Sequence, residues 1–436
     1  MFKKKNHLLI ISLVLILTLS VGLIGCQKSA TVTKKDTKKN LAGTEITALL
    51  PPWYKFSPEM LAEFKKETGI KVNLQTMEWD SLADKIFTSC AAGVAPADVT
   101  EFSWDWVGKF GAAKWYEPLN KYYDDAFFKD IITKDVFKYK DSYLAVPIYN
   151  DFRVTYINKK YFQQAGVSET PKDIDELLQS AKKIKEKGIS EYPIAVPFSA
   201  TAATTTPWFL LTKEYGGDLF DENWKPLFES KDSSGYKAME FLIKGLNEYK
   251  VIDPASIGLK GEDVVSEFKE GKGAIDLAGW AGNVSLYTNP KESKIVDKVG
   301  VIQVPGLEGK SRTYGLQEGL GIPVASKNKE AAAAFIKWLN KPEIVKQLFT
   351  ELGIFPNHQS AISDLVKEGK LFGGETILKV MPTIEPLFKQ GAPVWYTEFE
   401  TDVATTMNQM AKGSMTVDQG IKHIAENAKK LAAENK

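Results

Sequence analysis

Cysteine and histidine are almost missing from this sequence, with 2 Cys and 3 His in 436 residues. That scarcity excludes a disulfide framework and zinc sites of the usual Cys/His kind, so no metal and no cofactor is expected. Charge of one sign is also lacking. A net charge of +1 carries no global basic signature for nucleic acid. No His-Glu-x-x-His or Gly-x-Ser-x-Gly run occurs. Gly309-Lys310-Ser311 looks like the end of a phosphate loop, but Val304 stands where the earlier glycine is required. His358, close to Pro356, and His423, on a polar helix end, read as solvated, so a Ser/His triad is not expected.

Apolar runs long enough for a comfortable membrane span are lacking too. The run Leu8 to Leu19, broken by Ser12 and Thr18, is short and lies at the very start. Lys3, Lys4 and Lys5 precede it, and Leu23-Ile24-Gly25-Cys26 follows. A charged start, a short apolar core and small residues before a cut describe a secretory signal over residues 1–25. The last four residues resemble the lipobox of bacterial lipoproteins, which implies that Cys26 becomes the first residue and carries a diacylglyceryl group. Two acyl chains make a stable anchor, at about 0.8 kcal/mol per buried CH₂. Residues 26–43 then form a lysine-rich tether, suited to an anionic membrane surface. The 17 residues after Cys26 span roughly 20–25 Å as a flexible coil. Losing three lysines takes the chain to −2, and the body from Thr44 onward carries −6. Cys90, in the setting Ile86-Phe87-Thr88-Ser89-Cys90-Ala91-Ala92, reads as a buried, inert thiol.

What is present is ordinary globular composition, 44% hydrophobic and 25% charged. Single cores stop growing at roughly 250–300 residues, so more than one domain is expected. Thr44 to Leu50 reads as a strand. Ser57-Pro58 opens a helix that Gly69 closes. Ile70, Val72 and Leu74 alternate as a second strand, Leu82 to Phe87 is helical, and Asp98 to Phe102 is a third strand. This β-α-β-α-β order predicts a largely parallel sheet with helices on both faces. Ligands of open α/β sheets bind at the carboxyl ends of strands. Here those ends carry Pro51-Pro52-Trp53-Tyr54, Glu78-Trp79-Asp80 and Ser103-Trp104-Asp105-Trp106. Each Trp taken singly is as well explained by packing; three at successive strand ends point to a site.

Further on, Tyr143 to Pro147 and Arg153 to Asn158 read as strands. Thr170-Pro171-Lys172-Asp173 reads as cap, first-turn proline and acidic third position of a helix through Ile184. Ala274 to Ala278 and Gly321 to Val324 are further expected strands, Lys329 to Asn340 a helix with Trp338 in the core, and the chain from Asp402 helical with a break at Gly413. Together with Trp115-Tyr116-Glu117-Pro118-Leu119, Phe268-Lys269-Glu270-Gly271-Lys272-Gly273-Ala274, Gly279-Trp280 and Leu352-Gly353-Ile354-Phe355-Pro356, these segments resemble the extracellular solute-binding proteins of bacterial ABC importers, in their maltose-binding-like, carbohydrate-type family.

The resemblance implies an α/β, two-lobe periplasmic-binding-protein-like fold. Each lobe holds a mixed, mostly parallel sheet flanked by helices, and a multi-strand hinge joins them. Residues 44–151 plus 320–360 would form lobe 1, and residues 152–319 plus 361–436 lobe 2. It further implies a non-catalytic receptor outside the cytoplasm, membrane-held through its lipid, that closes on a carbohydrate and delivers it to the permease transmembrane subunits. A monomer and no nucleic-acid partner are expected.

Sugar chemistry fits the residues themselves. Aromatic rings cover the apolar C–H faces of a pyranose, and Asp, Asn, Glu and Arg exchange paired hydrogen bonds with its hydroxyls. By position within the family, Trp280, Trp208 and Trp395 would form a stacking floor in lobe 2. Trp53, Trp79 and Trp104 face them from the strand ends of lobe 1, with Glu78 and Asp105 as polar partners. Tyr149, Asp151 and Arg153 sit at the first hinge crossing, where a structural ion pair is an equal reading of Arg153. Gln317-Glu318 departs from the expected glycine-rich pair, so either Glu318 reaches the ligand or the turn differs. Trp115 and Trp224 default to packing. Two alternatives stay open: the same fold binding a polyamine or another small cationic solute, and a lipid-anchored glycoside hydrolase. The hydrolase would need eight β-α units, and the chain past residue 361 reads as helices.

Overall fold

Local rules set most elements in the computed structural model, which describes residues 41–435. The expected signal sequence, Cys26 and nearly all of the tether lie outside the described residues. Ser57 caps the helix Pro58–Thr68 by accepting the Met60 N–H, and Gly69, at φ 73°, ends it with the left-handed turn that glycine adopts without strain. The helix turns Met60 and Phe64 inward. The helix Ile174–Glu186 starts later than expected. Asp173, not Thr170, is its cap: Asp173 accepts the Glu176 N–H at 2.8 Å, and Glu176 returns a bond to the Lys172 N–H.

Eleven strands follow in the described chain: β1 (Glu45–Leu50), β2 (Lys71–Thr76), β3 (Val99–Ser103), β4 (Lys138–Tyr139), β5 (Ser142–Tyr143), β6 (Ala145–Tyr149), β7 (Arg153–Asn158), β8 (Ile194–Ala195), β9 (Ile275–Trp280), β10 (Val299–Ile302) and β11 (Glu318–Gly321). They form a five-stranded sheet in the order β2-β1-β3-β11-β6, a four-stranded sheet in the order β10-β7-β9-β8, and the small hairpin β4-β5. Both large sheets are mixed. Parallel pairing joins β1 to β2 and β3, and β8 to β9. β11 runs antiparallel to β3 and β6, and β7 antiparallel to β9 and β10. The strand expected at Gly321 to Val324 is therefore β11, shifted toward the amino end. Pro323 has no N–H to donate to a ladder, so regular pairing stops before it.

Each large sheet packs on its own helices. Ile46, Ala48, Leu50 and Phe64 meet Phe335 and Trp338 of the helix Lys329–Leu339 beneath the first sheet. Val154, Tyr156, Phe268 and Tyr287 pack with Ile362 and Ile377 beneath the second. The chain crosses between the sheets at Asn150–Phe152, again at Tyr314–Gln317, and near Phe355. These crossings are tied together: Leu316 donates its N–H to the Asp151 carbonyl, and Asn150 donates to the Phe355 carbonyl. The closing helices, Tyr396–Ala411 and Val417–Glu434, pack against the helices of the second half. His358 corrects its reading as solvated. It is buried, with Nδ1 3.2 Å from Asp130 and Nε2 within 3.4 Å of Asn340, because the segment after Phe355 is folded into the junction.

Candidate functional site

Both ends of the first crossing bring charge into a buried region. Arg153 opens β7 and is 1% exposed; its Nη2 donates to Asp151 at 3.2 Å. Its Nε and Nη1 have no hydrogen-bond acceptor, and neither Asp151 Oδ1 nor Asn150 Nδ2 has a partner. Buried polar groups left in this state are costly, so such a concentration marks a place built to meet something. The Trp280 ring, at the end of β9, lies 5.0 Å from the Arg153 guanidinium and is 46% exposed. An indole open on one face and held by a cation on the other is a preset platform.

A second group of charges adjoins this pair. β3 places Glu101 and Ser103, and β11 places Glu318, on one sheet face in diagonal register. The Ser103 hydroxyl donates to Glu318, while no N–H or O–H donor other than a carboxyl reaches either oxygen of Glu101. Burial raises the pKa of both glutamates; the charge of Glu101 raises that of Glu318 further, while the hydrogen bond from Glu318 opposes the rise at Glu101, so they hold a proton between them. Asp105 and Asp151 are each pushed up to about 6, by burial first. Burial also lifts Glu400 to about 7, with the negative charge of Asp105 adding to it, while a 2.7 Å bond from the Tyr396 hydroxyl opposes the rise. Asp105, Glu318 and Glu400 keep part of their surface exposed, yet dense surroundings dominate their titration. Tyr54, Tyr149 and Tyr314 ring the group. The Tyr54 hydroxyl has no well-aligned hydrogen bond, the Trp53 indole lying nearby.

The aromatic expectations divide. Trp53 and Trp79 come together, stacked at 5.8 Å, and Trp79 stacks in turn on Trp106 at 5.6 Å. Trp53 is 44% exposed, so the column runs from solvent into the core. Trp104 turns the other way and meets Tyr396 edge-on at 4.8 Å, joining the first half to the second. Tyr149 reaches the loop at Gly282, and Glu318 lies in strand β11 rather than in a loop. Gln317 is buried and donates to Asp151 and Asn150, serving the crossing.

Three expected site residues are placed elsewhere. Trp208 has no exposed surface; it lies inside the helix Thr205–Glu214, and its Nε1 donates to the Gly235 carbonyl at 2.8 Å. Its neighbours Phe209, Leu210 and Leu211 are buried with it, so no face is free to stack. Trp395 is 4% exposed and packed edge-on by Phe220, Trp224 and Phe399. The stacking floor of the second half therefore reduces to Trp280. Glu78 is exposed at the start of the helix Trp79–Ala91 and makes no capping bond, apart from the buried acids.

Sequence reasoning does not single out Glu101, Tyr396 or Glu400, and Tyr54 enters only within the run after the first strand. The signal for Glu101 was a lone charge inside the buried strand Val99–Ser103. For Glu400 it was the spacing of four from Tyr396, one helical turn. A surface hollow of about 540 Å³, lined by Lys182, Lys185, Glu186, Gly188, Glu191 and Tyr249, shares no residue with this cluster and holds no buried charge. Among the described residues no group of His, Cys, Asp and Glu could hold a metal ion.

Two sheet-based halves, joined by crossings that carry the polar cluster, define the class of two-lobe binding proteins. The family described as bacterial extracellular solute-binding protein matches residues 47–346, and the chain belongs to it. A probable amino-acid ABC transporter periplasmic-binding protein of Sinorhizobium fredii is 25% identical over 345 residues, covering 76% of this chain and 77% of that protein. The mannitol-binding protein of Pseudomonas aeruginosa is 25% identical over 79% of this chain and 82% of its own length. The maltose-bound structure of T. maritima MalE3 shares the fold, with a TM-score of 0.77 at 24% identity, covering 89% of this chain and all of that one. Membership in this family places the chain outside the cytoplasm, as a solute-binding protein of an ABC transporter.

Proposed function

We propose that this chain captures a sugar or polyol between its two lobes and delivers it to the transmembrane subunits of an ABC permease, without catalysis. The observation that carries the reading is the open indole of Trp280 beside the Arg153–Asp151 pair, whose free donors and acceptor lie at the crossing. A sugar ring offers an apolar face to the first and hydroxyls to the second. Mannitol binding in one relative and bound maltose in a protein of the same fold support it. Lobe 1 comprises residues 44–151 and 320–360, and lobe 2 residues 152–319 and 361–436, moving about the crossings as a hinge. The ligand-contacting set is Trp280, Arg153, Asp151, Tyr149, Glu318 and Asp105, with Trp53 and Trp79 at the entrance. Cys26 carries the lipid anchor, and the chain acts as a monomer.

Thermal unfolding of the full-length chain tests this against mono- and oligosaccharides, polyols, amino acids and polyamines. A ligand at a hundred times its Kd stabilises by about 2.7 kcal/mol, which raises Tm visibly. A rise with sugars or polyols is expected; a rise only with amino acids or polyamines contradicts the reading.

A further inference from the structure

We propose that the ligand is an amine-bearing carbohydrate, whose ammonium group sits among Glu101, Asp105, Glu318 and Glu400 while its hydroxyls meet Arg153 and Asn150. This rests on the sugar-receptor reading above and names the class of sugar. Among the described residues, no lysine, arginine or histidine makes an ion pair with any of those four carboxyls. Glu101 and Glu318 lie diagonally across the pairing of β3 with β11, and the charge of Asp105 acts on both Glu318 and Glu400, with the Ser103, Thr205 and Tyr396 hydroxyls among them. Arg153 is the cation of the neighbourhood, and Asp151 already holds it. Four carboxyls are gathered at one spot with no basic side chain paired to them, so a cation arriving there would favour their ionised form. A protonated amine is such a cation, with three N–H donors for the two Glu101 oxygens and Glu318 Oε2, which have none.

The other half of the cluster excludes a ligand that only donates. Arg153 Nε and Nη1 and Asn150 Nδ2 are N–H donors, each nine-tenths or more buried, and each lacks an acceptor. A polyamine has only N–H donors when protonated and would leave all three unpaired. A neutral sugar would serve them but bring no charge to the four acids. An amino sugar carries both kinds of group on one rigid ring, and the Trp280 indole covers its apolar face. Buried donors without partners are penalised strongly enough to decide between such ligands.

Calorimetric titration of the full-length chain at pH 7 tests this with glucosamine, galactosamine and the β-1,4-linked glucosamine dimer. Each is matched with its neutral parent and its N-acetylated form, and putrescine and spermidine are run alongside. The free amines are expected to bind at least tenfold more tightly than both matched forms. In Glu101→Gln/Glu318→Gln, and separately in Glu400→Gln, the ratio of amine to neutral affinity is expected to fall toward one. Tm monitors folding of both variants. Equal or tighter binding of the neutral or N-acetylated forms overturns the amine assignment and leaves the sugar receptor standing. Binding of the polyamines alone overturns both, and binding of nothing in this panel overturns the amine assignment.

Discussion

At the residue scale, exposure separates tryptophans that bind from tryptophans that hold the fold. Trp280 is half open and touches Arg153, whereas Trp208 is wholly enclosed. Trp280→Ala is expected to weaken sugar binding about tenfold or more, the scale of one lost ring contact, with little change in Tm. Trp208→Ala is expected to cost about 3–5 kcal/mol of stability through the cavity it leaves and a lost hydrogen bond. Calorimetry and denaturant unfolding of the two variants would show that crossover. A reversed pattern would place the ligand against Trp208. This distinction was out of reach in the sequence. Both residues follow small or turn-forming residues, and only the tertiary packing of Phe209, Phe228 and Gly235 closes over Trp208. Trp338 was legible because it shares a helix face with apolar neighbours, and Cys90 because small apolar residues surround it; burial raises that thiol to about 11.

Titration belongs to the same scale. Glu101, Glu318, Glu400 and Glu214 all have pKa values raised by burial, Glu400 to about 7 and Glu214 to about 8. Unfolded glutamates are already ionised at pH 6.5, near 4.3 as their ordinary value. Between pH 6.5 and 8 the folded chain therefore holds more protons than the unfolded one, and stability falls as pH rises. His358 acts in the opposite sense, since burial lowers its pKa, but its contribution is lost only as pH falls below the unfolded value near 6.5. The ligand-free chain should accordingly show a lower Tm at pH 8 than at pH 6.5. Glu101→Gln/Glu318→Gln should flatten that slope, and a Tm rising over the same interval would contradict the assignment.

At the element scale, the helix Val107–Ala113 meets the segment before the last two helices. A Cβ at Gly108 would lie 2.5 Å from the Ala392 carbonyl oxygen, closer than atoms approach. Gly108→Val should hold the two halves apart and lower ligand affinity at least tenfold, and small-angle scattering should show a larger radius of gyration. An unchanged radius with normal affinity would remove this contact from the closure surface. The elements themselves were largely legible: the Ser57 cap and Gly69 stop, the alternation in β2, and the apolar face of the helix Lys329–Leu339 follow from local chemistry. The start of the helix Ile174–Glu186 and the position of β11 were misread. There, competing caps and long-range pairing decide, and neither is local.

At the scale of the whole molecule, two mixed sheets, each with helices packed on one face and both contributing to a larger shared cluster, are joined by crossings that carry buried polar atoms without partners. A family resemblance announced this architecture from the sequence. The carboxyl cluster was only half visible, because Glu101 and Glu318 are 217 positions apart and meet through the pairing of β3 with β11. Membrane attachment is a further expectation at this scale. Cys26→Ala should shift the chain from the membrane fraction to the medium, and retention on the membrane would exclude a lipid anchor at that residue. The most direct test of the receptor assignment is a calorimetric titration of the full-length chain with the sugars and polyols that raise its Tm, followed by mass analysis of the ligand recovered. One saturable site per chain, with the ligand returned intact, is the result expected. A cleaved ligand, or no saturable site for any sugar or polyol, would contradict it.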